Sequence, residues 1–294
     1  MPRIAYIQKR FNFSSYQIIN HANRIIDEFT ADGFNLTLRQ LYYQFVAQDL
    51  IENSQKAYKR LGMIINDARL AGLIDWHAIE DRTRNLKGHT HWLNPGQIIE
   101  AAARGFRLDH WDNQEYRLEV WVEKEALIGV IGQICAELDV DFFACRGYVS
   151  QSEMWSAARR LSSYQYKKQR PVVIHLGDHD PSGIDMTRDI MDRFDLFKPD
   201  EIDLLRIALN MDQIEEHQPP PNPAKITDSR YNTYRKKYGS DSWELDALNP
   251  NIIRDLISDK VKEYRDEEKY AYVLAQEQEY LHILDRVAKN WELL

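Results

Sequence analysis

The chain has 294 residues, of which 44% are hydrophobic and 29% charged, a composition that supports a globular core and excludes a disordered protein. Its 38 Lys and Arg against 46 Asp and Glu residues give a net charge of −8, which excludes a uniformly basic nucleic-acid-binding protein. No apolar run is long enough to cross a membrane, and with a charged amino terminus and only two cysteines we expect a cytoplasmic protein without disulfide bonds.

The first third of the chain carries three helical patterns. Apolar side chains spaced three and four residues apart predict helices over residues 14–31 and 38–50, and a third that begins after a Ser54 cap. The second helix begins with a capping box, in which Thr37 and Gln40 satisfy free backbone amides. Three short helices followed by an expected β-hairpin predict a winged helix-turn-helix.

After residue 116 the pattern changes to strands that alternate with helices. We expect strands over 118–122, 142–145, 172–176 and 204–209, with helices over 127–138, 151–164 and 184–194 between them. This succession predicts a parallel sheet covered by helices. The chain is therefore expected to be an α/β protein with a winged-helix domain over residues 1–93, a linker region over 94–116 that includes a helix at 97–105, and a parallel α/β domain over 117–294.

Two further segments follow the last expected strand. Residues 218–223, QPPPNP, are too rich in proline for a helix or a central strand, and we expect a stiff spacer there. The chain from Asn249 onward is expected to be helical.

Acidic side chains follow two of the expected strands. Glu123 comes directly after the strand over 118–122, and Asp178 and Asp180 follow the strand over 172–176. Because the carboxyl ends of parallel strands open on one edge of a sheet, these side chains can meet. Three converging carboxylates need a cation, and hard oxygen ligands favour Mg²⁺, with Mn²⁺ as a substitute. The sequence thus predicts a magnesium site.

An Asp-x-Asp pair after a strand also occurs in ordinary turns and in phosphatases with an aspartyl nucleophile. The phosphatase pattern requires a Thr two residues beyond the second Asp, where this chain has Ser182 after a proline. The phosphatase pattern also does not require an upstream acidic residue such as Glu123. We therefore favour the metal site.

The second helix carries two adjacent tyrosines with different expected positions. Tyr42 falls on the apolar stripe, whereas Tyr43 lies well off it at about 100° per residue. We expect Tyr42 in the core and the Tyr43 phenol presented outward, with Arg39 one turn earlier. An activated phenol can attack a phosphodiester, and an arginine can stabilise the transferring phosphate. Without such a role, Tyr43 would be an ordinary surface residue.

Four motifs in one order resemble those of the DNA topoisomerase VI A subunit and the meiotic double-strand-break transesterase. They are TLRQLYY at 37–43, VEKEALI at 122–128, RGY at 146–148 and GDHDPSGID at 177–185, within a match over residues 15–260. The resemblance implies a Toprim-like fold for the parallel α/β domain. It also implies that Tyr43 is the nucleophile, Arg39 its helper, and Glu123, Asp178 and Asp180 the metal ligands, in a homodimer where Tyr43 of one subunit reaches the metal site of the other.

The expected function is Mg²⁺-dependent double-strand DNA cleavage through a covalent 5′-phosphotyrosyl intermediate, with a possible separate ATPase subunit because the chain has no phosphate-binding Gly-rich loop. In length the chain is more similar to reduced A-subunit-like proteins of bacteria and mobile elements. A related Toprim architecture occurs in the nuclease subunit of the Wadjet plasmid-defence system. Hydrolysis without a covalent intermediate, and a non-catalytic DNA-binding subunit, therefore stay open as alternatives.

Basic side chains indicate where double-stranded DNA would bind. The expected contacts lie off the apolar face of the third helix and in the expected wing: Lys56, Lys59, Arg60, Arg82, Arg84 and Lys87. A winged helix places such groups in the major groove and on phosphates. Residues 230–238, RYNTYRKKY, could also grip a DNA backbone or stack on bases, or form an ordinary charged loop. His89 and His91 favour a plain loop over a zinc site, since no cysteine is near.

Overall fold

The computed structural model describes residues 3–79, 91–197 and 202–290, which form an α/β fold with 11 α-helices and a four-stranded parallel sheet. The helices are α1 (Phe13–Ala31), α2 (Leu38–Ala47), α3 (Gln55–Leu70), α4 (Pro95–Gly105), α5 (Ile128–Leu138), α6 (Gln151–Tyr166), α7 (Pro181–Phe197), α8 (Met211–His217), α9 (Tyr231–Tyr238), α10 (Pro250–Tyr264) and α11 (Glu267–Lys289). The strands are β1 (Tyr116–Val122), β2 (Asp141–Ala144), β3 (Arg170–Leu176), β4 (Asp203–Ala208), β5 (Asn222–Pro223) and β6 (Asp241–Ser242).

The three amino-terminal helices are confirmed, and so is the capping box that starts α2. The Gln40 side-chain oxygen accepts a hydrogen bond from the Thr37 amide at 2.9 Å, and the Thr37 hydroxyl accepts one from the Gln40 amide at 3.3 Å. The expected end of α2 near Leu50 is wrong. The helix stops at Ala47, and Asp49 just beyond it has a left-handed backbone with φ of 54°, which a helix cannot continue through.

The hairpin of the expected winged helix is not found in the described residues after α3. There the chain makes only single-residue bridges, one between Ala71 and Ala5 and one between Ile79 and Leu36. The expected wing residues Arg82, Arg84 and Lys87, and also His89, lie outside the described residues. The amino-terminal region is therefore established as a three-helix unit, and its winged-helix character is not.

The central sheet has the strand order β2-β1-β3-β4, with all pairs parallel. Side chains alternate between its faces, as a strand requires. Leu118 and Val120 of β1 pack with α5 and α10 on one face, while Trp121 of the same strand packs with α6 and α7 on the other. A parallel sheet covered on both faces is thus confirmed, with β1 and β3 at its centre.

One hydrophobic cluster joins the amino-terminal helices to the sheet. It runs from α1, α2 and α3 to the α5 and α10 face and includes Trp111, which is 1% exposed. The Trp111 indole donates a hydrogen bond to the Leu138 carbonyl at 2.9 Å. Residues 94–116, the expected linker region, therefore contain both a helix, α4, which packs on α11, and a buried anchor on the sheet domain.

The chain after β4 is largely helical, as expected. The proline-rich segment 218–223 is not simply a spacer, since its last two residues form β5, which pairs with β6 in an antiparallel ribbon. Residues 231–238 form α9 rather than a loop. None of the helices in the described ranges is long and apolar enough to cross a membrane.

We expect the capping box to contribute measurably to stability. Thr37→Ala removes the hydroxyl that satisfies a free amide of α2, so the free energy of unfolding should fall by about 1 kcal/mol. Thr37→Ser keeps the hydroxyl and should lose less than half of that. Urea denaturation of the three proteins measures the difference, and equal losses in both variants would assign the effect to the methyl group instead.

Candidate functional site

A cavity of about 670 Å³ opens at the carboxyl edge of the sheet and is shared by both regions of the chain. Its lining includes all five residues singled out from the sequence as catalytic or metal-binding: Arg39, Tyr43, Glu123, Asp178 and Asp180. The first two come from α2, and the others follow β1 and β3. The structure therefore brings together, within one chain, residues that are up to 141 positions apart.

The register of β1 against β3 explains why the two acidic motifs meet. Val122 pairs with Leu176 at the strand ends, so Glu123 and Gly177 leave the sheet side by side. The Asp178 amide donates a hydrogen bond to the Glu123 carboxylate at 2.8 Å. Glu123 therefore holds the loop that carries the two aspartates.

The same loop is closely packed at its second glycine. A Cβ atom on Gly183 would lie 2.3 Å from the Asp178 carbonyl oxygen, so no other residue fits there without moving the loop. The Asp180 carboxylate accepts hydrogen bonds from the Gly183 amide at 2.6 Å and from the Ser182 hydroxyl at 2.8 Å, which caps the first turn of α7. Asp180 is thus already engaged in shaping the loop.

The converging carboxylates are not the three expected from the sequence. In the described part of the chain, Asp178, Glu244 and Asp246 offer oxygens that all lie within 4.8 Å of one another. Of the expected ligands only Asp178 belongs to this acidic triad. Glu123 and Asp180 line the same cavity but lie outside the triad.

Two basic side chains balance the acidic triad. The Lys124 ammonium lies 3.0 Å from both the Asp178 and the Asp246 carboxylates and also bonds Glu244. The Arg39 guanidinium donates to Glu244 at 2.7 Å and to Asp246 at 3.0 Å. Because Arg39 belongs to α2 and the other four residues to the sheet region, this charged cluster ties the two regions together.

Burial and ion pairing have opposite effects on the pKa values of several groups at this site. Burial alone would lower the pKa of Lys124, but the surrounding carboxylates outweigh it and raise that pKa. Burial raises the pKa of Asp178 above the ordinary range of a carboxyl group and also raises the pKa of Glu123. Burial would also raise the pKa of Glu244, but Lys124 and Arg39 more than offset it and lower that pKa. The Lys124 ammonium is thus the resident cation of the cluster.

The acidic triad could hold a metal ion. Three carboxylate oxygens within 4.8 Å match the hard oxygen ligands that Mg²⁺ and Mn²⁺ prefer. Lys124 already takes the position of a cation between them, so a metal would have to exchange with its ammonium group. The donor chemistry therefore fits a divalent cation.

Tyr43 does not face solvent as expected. It is 4% exposed, close to the 5% of Tyr42, because α2 packs against the short 3-10 segment Leu245–Ala247 and covers the side of the helix that is off the apolar stripe. The Arg39 guanidinium donates to the Tyr43 hydroxyl at 3.3 Å, as the one-turn spacing indicates. Burial, with the carboxylates of Glu244 and Asp246, raises the pKa of the Tyr43 phenol to about 12.

Tyr42 is in the core, as expected. Its hydroxyl donates to the Asn53 side chain at 2.9 Å and its ring packs edge-on against Tyr58. Of the two tyrosines, only Tyr43 contacts Arg39.

The described basic residues of α3 lie outside the cavity. Lys56, Lys59 and Arg60 are exposed, as their position off the apolar face indicates. Gln55 and Tyr58 of the same helix line the cavity, so α3 forms part of its rim.

Three residues of the charged cluster were missed by the sequence reasoning. Lys124 stands inside the VEKEALI motif, but nothing in that motif shows that its ammonium would sit between carboxylates. Glu244 and Asp246 form a second acid-x-acid pair, in WELDAL, which could have been noticed. No expected strand precedes that pair, so its place at the sheet edge had no signal in the sequence.

No protein-family model, curated protein or solved structure matches this chain. The fold and the site define an α/β protein with a parallel sheet and, at the carboxyl edge of that sheet, an acidic centre formed by Asp178, Glu244 and Asp246. The functional conclusion therefore depends on the residues of this centre.

Removing the resident cation should destabilise the protein strongly. Lys124→Met keeps most of the apolar stem but removes the ammonium group, which leaves the buried Asp178 and Asp246 and the half-buried Glu244 with only Arg39 nearby, so we expect the free energy of unfolding to fall by about 3 kcal/mol. The matched control is Lys289→Met, which breaks an exposed pair with Asp285 and should cost less than about 1 kcal/mol. Urea denaturation in EDTA gives both values. A similar small loss in the two variants would show that the cluster does not depend on Lys124.

Proposed function

We propose that the protein is a Mg²⁺-dependent DNA-cleaving enzyme of the topoisomerase VI A-subunit type, with Tyr43 as its nucleophile. The observation that carries this proposal is that Tyr43, Arg39 and the carboxylates that follow β1 and β3 all line the same cavity. The order of the four sequence motifs gives the reaction class. The cavity supports it because the residues that the reaction needs lie together.

In this reaction the Tyr43 oxygen attacks the phosphorus of a DNA phosphodiester. The bond from phosphorus to the 3′ oxygen breaks, and the strand end is held as a 5′-phosphotyrosyl ester. Overall, the phenol proton replaces phosphorus on the 3′ oxygen. Arg39 contacts the Tyr43 hydroxyl, so its guanidinium is placed to stabilise the negative charge of the transferring phosphate.

Asp178 would hold the Mg²⁺ ion, together with either Glu244 and Asp246 of the acidic triad or Glu123 and Asp180 of the expected set. The ion would supply positive charge at the transferring phosphate. The geometry favours the triad, because its oxygens converge while Asp180 caps α7.

The homodimer and the ATPase subunit remain proposals that come from the resemblance. In the single chain, Tyr43 lines the same cavity as Glu123 and Asp178. If Tyr43 of one subunit serves the metal site of its partner, α2 must exchange its contacts with Glu244 and Asp246 for those of the second subunit. The ion pairs of Arg39 are the contacts that would have to change.

A hydrolytic Toprim nuclease is the second candidate, and one observation favours it. The Tyr43 phenol is buried and its pKa is raised to about 12, so at neutral pH it is almost entirely protonated. A protonated phenol is a weak nucleophile. Attack by water activated at the metal would need no change at Tyr43.

The metal proposal predicts a rise in thermal stability with Mn²⁺ or Mg²⁺. At a hundred times the dissociation constant, a bound ion should stabilise the fold by about 2.7 kcal/mol. Glu244→Gln should remove most of this rise if the acidic triad binds the ion, and Asp180→Asn should keep it. Differential scanning calorimetry measures the shift. The reverse pattern would assign the ion to the expected set, and no rise in the unmodified protein would contradict the metal site.

The covalent intermediate separates the two candidate reactions. Tyr43→Phe removes only the hydroxyl and should abolish both DNA cleavage and the protein–DNA adduct that remains after denaturation. Denaturing gel electrophoresis of 3′-labelled DNA, with and without protease treatment, detects the adduct, because the protein stays on the 5′ phosphate of the fragment that carries the 3′ label.

The matched control for this experiment is Tyr42→Phe. It loses the hydrogen bond to Asn53, which should cost about 1 kcal/mol of stability, but should keep cleavage and adduct. If Tyr43→Phe still cuts DNA while Asp178→Asn does not, the nucleophile is water and the protein is a hydrolytic nuclease.

A further inference from the structure

The segment RYNTYRKKY, whose role the sequence leaves open, divides its residues between two tasks in the structure. The tyrosines Tyr231 and Tyr234 of α9 are buried, which prevents bases from stacking on them. The basic residues Arg235, Lys236 and Lys237 are exposed. The aromatic side chains therefore anchor the helix, and the basic ones face outward.

Helix α9 is anchored by His179, which lies between Asp178 and Asp180 in the loop after β3. This loop, residues 177–183, is here called the acidic loop. The Tyr234 hydroxyl lies 2.8 Å from the His179 ring nitrogen Nδ1 and 2.9 Å from the His179 carbonyl oxygen. The ring of Tyr238 packs edge-on against the His179 ring, with 4.6 Å between centroids. Because His179 is 1% exposed, α9 is held in a defined position relative to Asp178 and Asp180.

The exposed basic residues of this region lack acidic partners. The ion pairs of this segment are formed by Arg230, which pairs with Asp228 and Asp185. Within the described residues, Arg235 and Lys236 form no ion pair. Lys237 lies over the ring of Tyr238 rather than beside a carboxylate. In a chain with a net charge of −8, this run of uncompensated positive charge stands out.

Among the described residues, a fourth cation without an ion pair, Lys225, lies at the cavity and near α9, since the preceding residue, Ala224, packs with Tyr231 and Tyr234. Lys225 lines the cavity beside β5 and β6, the ribbon that flanks α9 in the chain, and forms no ion pair with any described residue. Apart from Lys225, the cavity lining carries four acidic side chains against two basic ones, Arg39 and Lys124, so its charge on balance repels a phosphate backbone. A polyanion can approach such an acidic centre only if positive charge borders it.

We propose that Lys225, Arg235, Lys236 and Lys237, here called the α9 basic edge, bind backbone phosphates of double-stranded DNA beside the cavity. This inference rests on the proposed function for its choice of partner. It adds a DNA contact in the sheet region, separate from Lys56 and Lys59 on α3. The duplex would then be held by both regions of the chain while a phosphodiester lies at the acidic centre.

The test is the salt dependence of duplex DNA binding by the triple variant Arg235→Ala, Lys236→Ala, Lys237→Ala. Each phosphate contact contributes about 0.9 to the slope of log K against log salt concentration, so the slope should become less steep by two to three, about 0.9 for each lost contact. Fluorescence anisotropy of a labelled duplex in EDTA measures binding without cleavage.

The control is a triple variant with the same change in charge at the opposite edge of the sheet: Lys167→Ala, Lys260→Ala, Lys262→Ala. Lys167 precedes β3, and the other two lie within one turn of Tyr264, whose ring packs on Tyr116 at the start of β1. The control should keep the slope of the unmodified protein. An equal change in both variants would reduce the effect to net charge and overturn the inference.

The outcomes also separate this inference from the proposed function. If the unmodified protein binds duplex DNA and the α9 variant keeps the full slope, the α9 basic edge is not a DNA contact, while the cleavage proposal stands. If the slope falls as expected but no cleavage is found, the α9 basic edge stands and the catalytic proposal does not. Absence of duplex binding by the unmodified protein overturns both.

Discussion

The ammonium group of Lys124, seated among three carboxylates, is the interaction on which the site depends. It lies between Asp178, which follows β3, and Asp246 and Glu244, which precede α10. Without a cation these converging carboxylates would repel one another, and burial already raises the pKa of Asp178. The ammonium therefore allows the carboxyl edge of the sheet to close over an acidic centre. Arg39 extends the same balance of charge to the amino-terminal helices.

Helix α2 has two packing surfaces, and the ion pairs of Arg39 lie on the second. Its apolar stripe packs into the three-helix unit, and its other side lies on the 3-10 segment that carries Asp246. This second contact buries Tyr43 and places its hydroxyl beside Arg39. Tyr43 is thus held in a fixed position, and its raised pKa means that its phenol resists ionisation. A metal ion that displaced Lys124 would change the charges around the phenol, which links metal binding to the reactivity of Tyr43 in the proposed mechanism.

The acidic loop after β3 is a point of organisation for the whole sheet edge. Its Asp178 joins the acidic triad, its His179 anchors α9, and its Asp180 caps α7. Gly183 permits the close turn of the loop on which these three contacts depend. One short loop therefore sets the distance from the acidic centre to the cavity rim. The DNA contact that we propose on α9 would therefore be fixed in position relative to the acidic centre.

The sequence by itself determined most of the helices, the four strands of the sheet and five of the residues that line the cavity, because helix periodicity, capping and strand alternation are local properties of the chain. It predicted the parallel sheet, the start of α2 and the meeting of Glu123 with Asp178, since parallel strands end on one edge. Only the tertiary structure decided which charges pair. The burial of Tyr43 depends on how α2 docks on a segment about 200 residues away, and the place of Lys124 depends on the acids of that same segment, 122 positions beyond it. A contact between distant residues leaves no periodic trace in either segment.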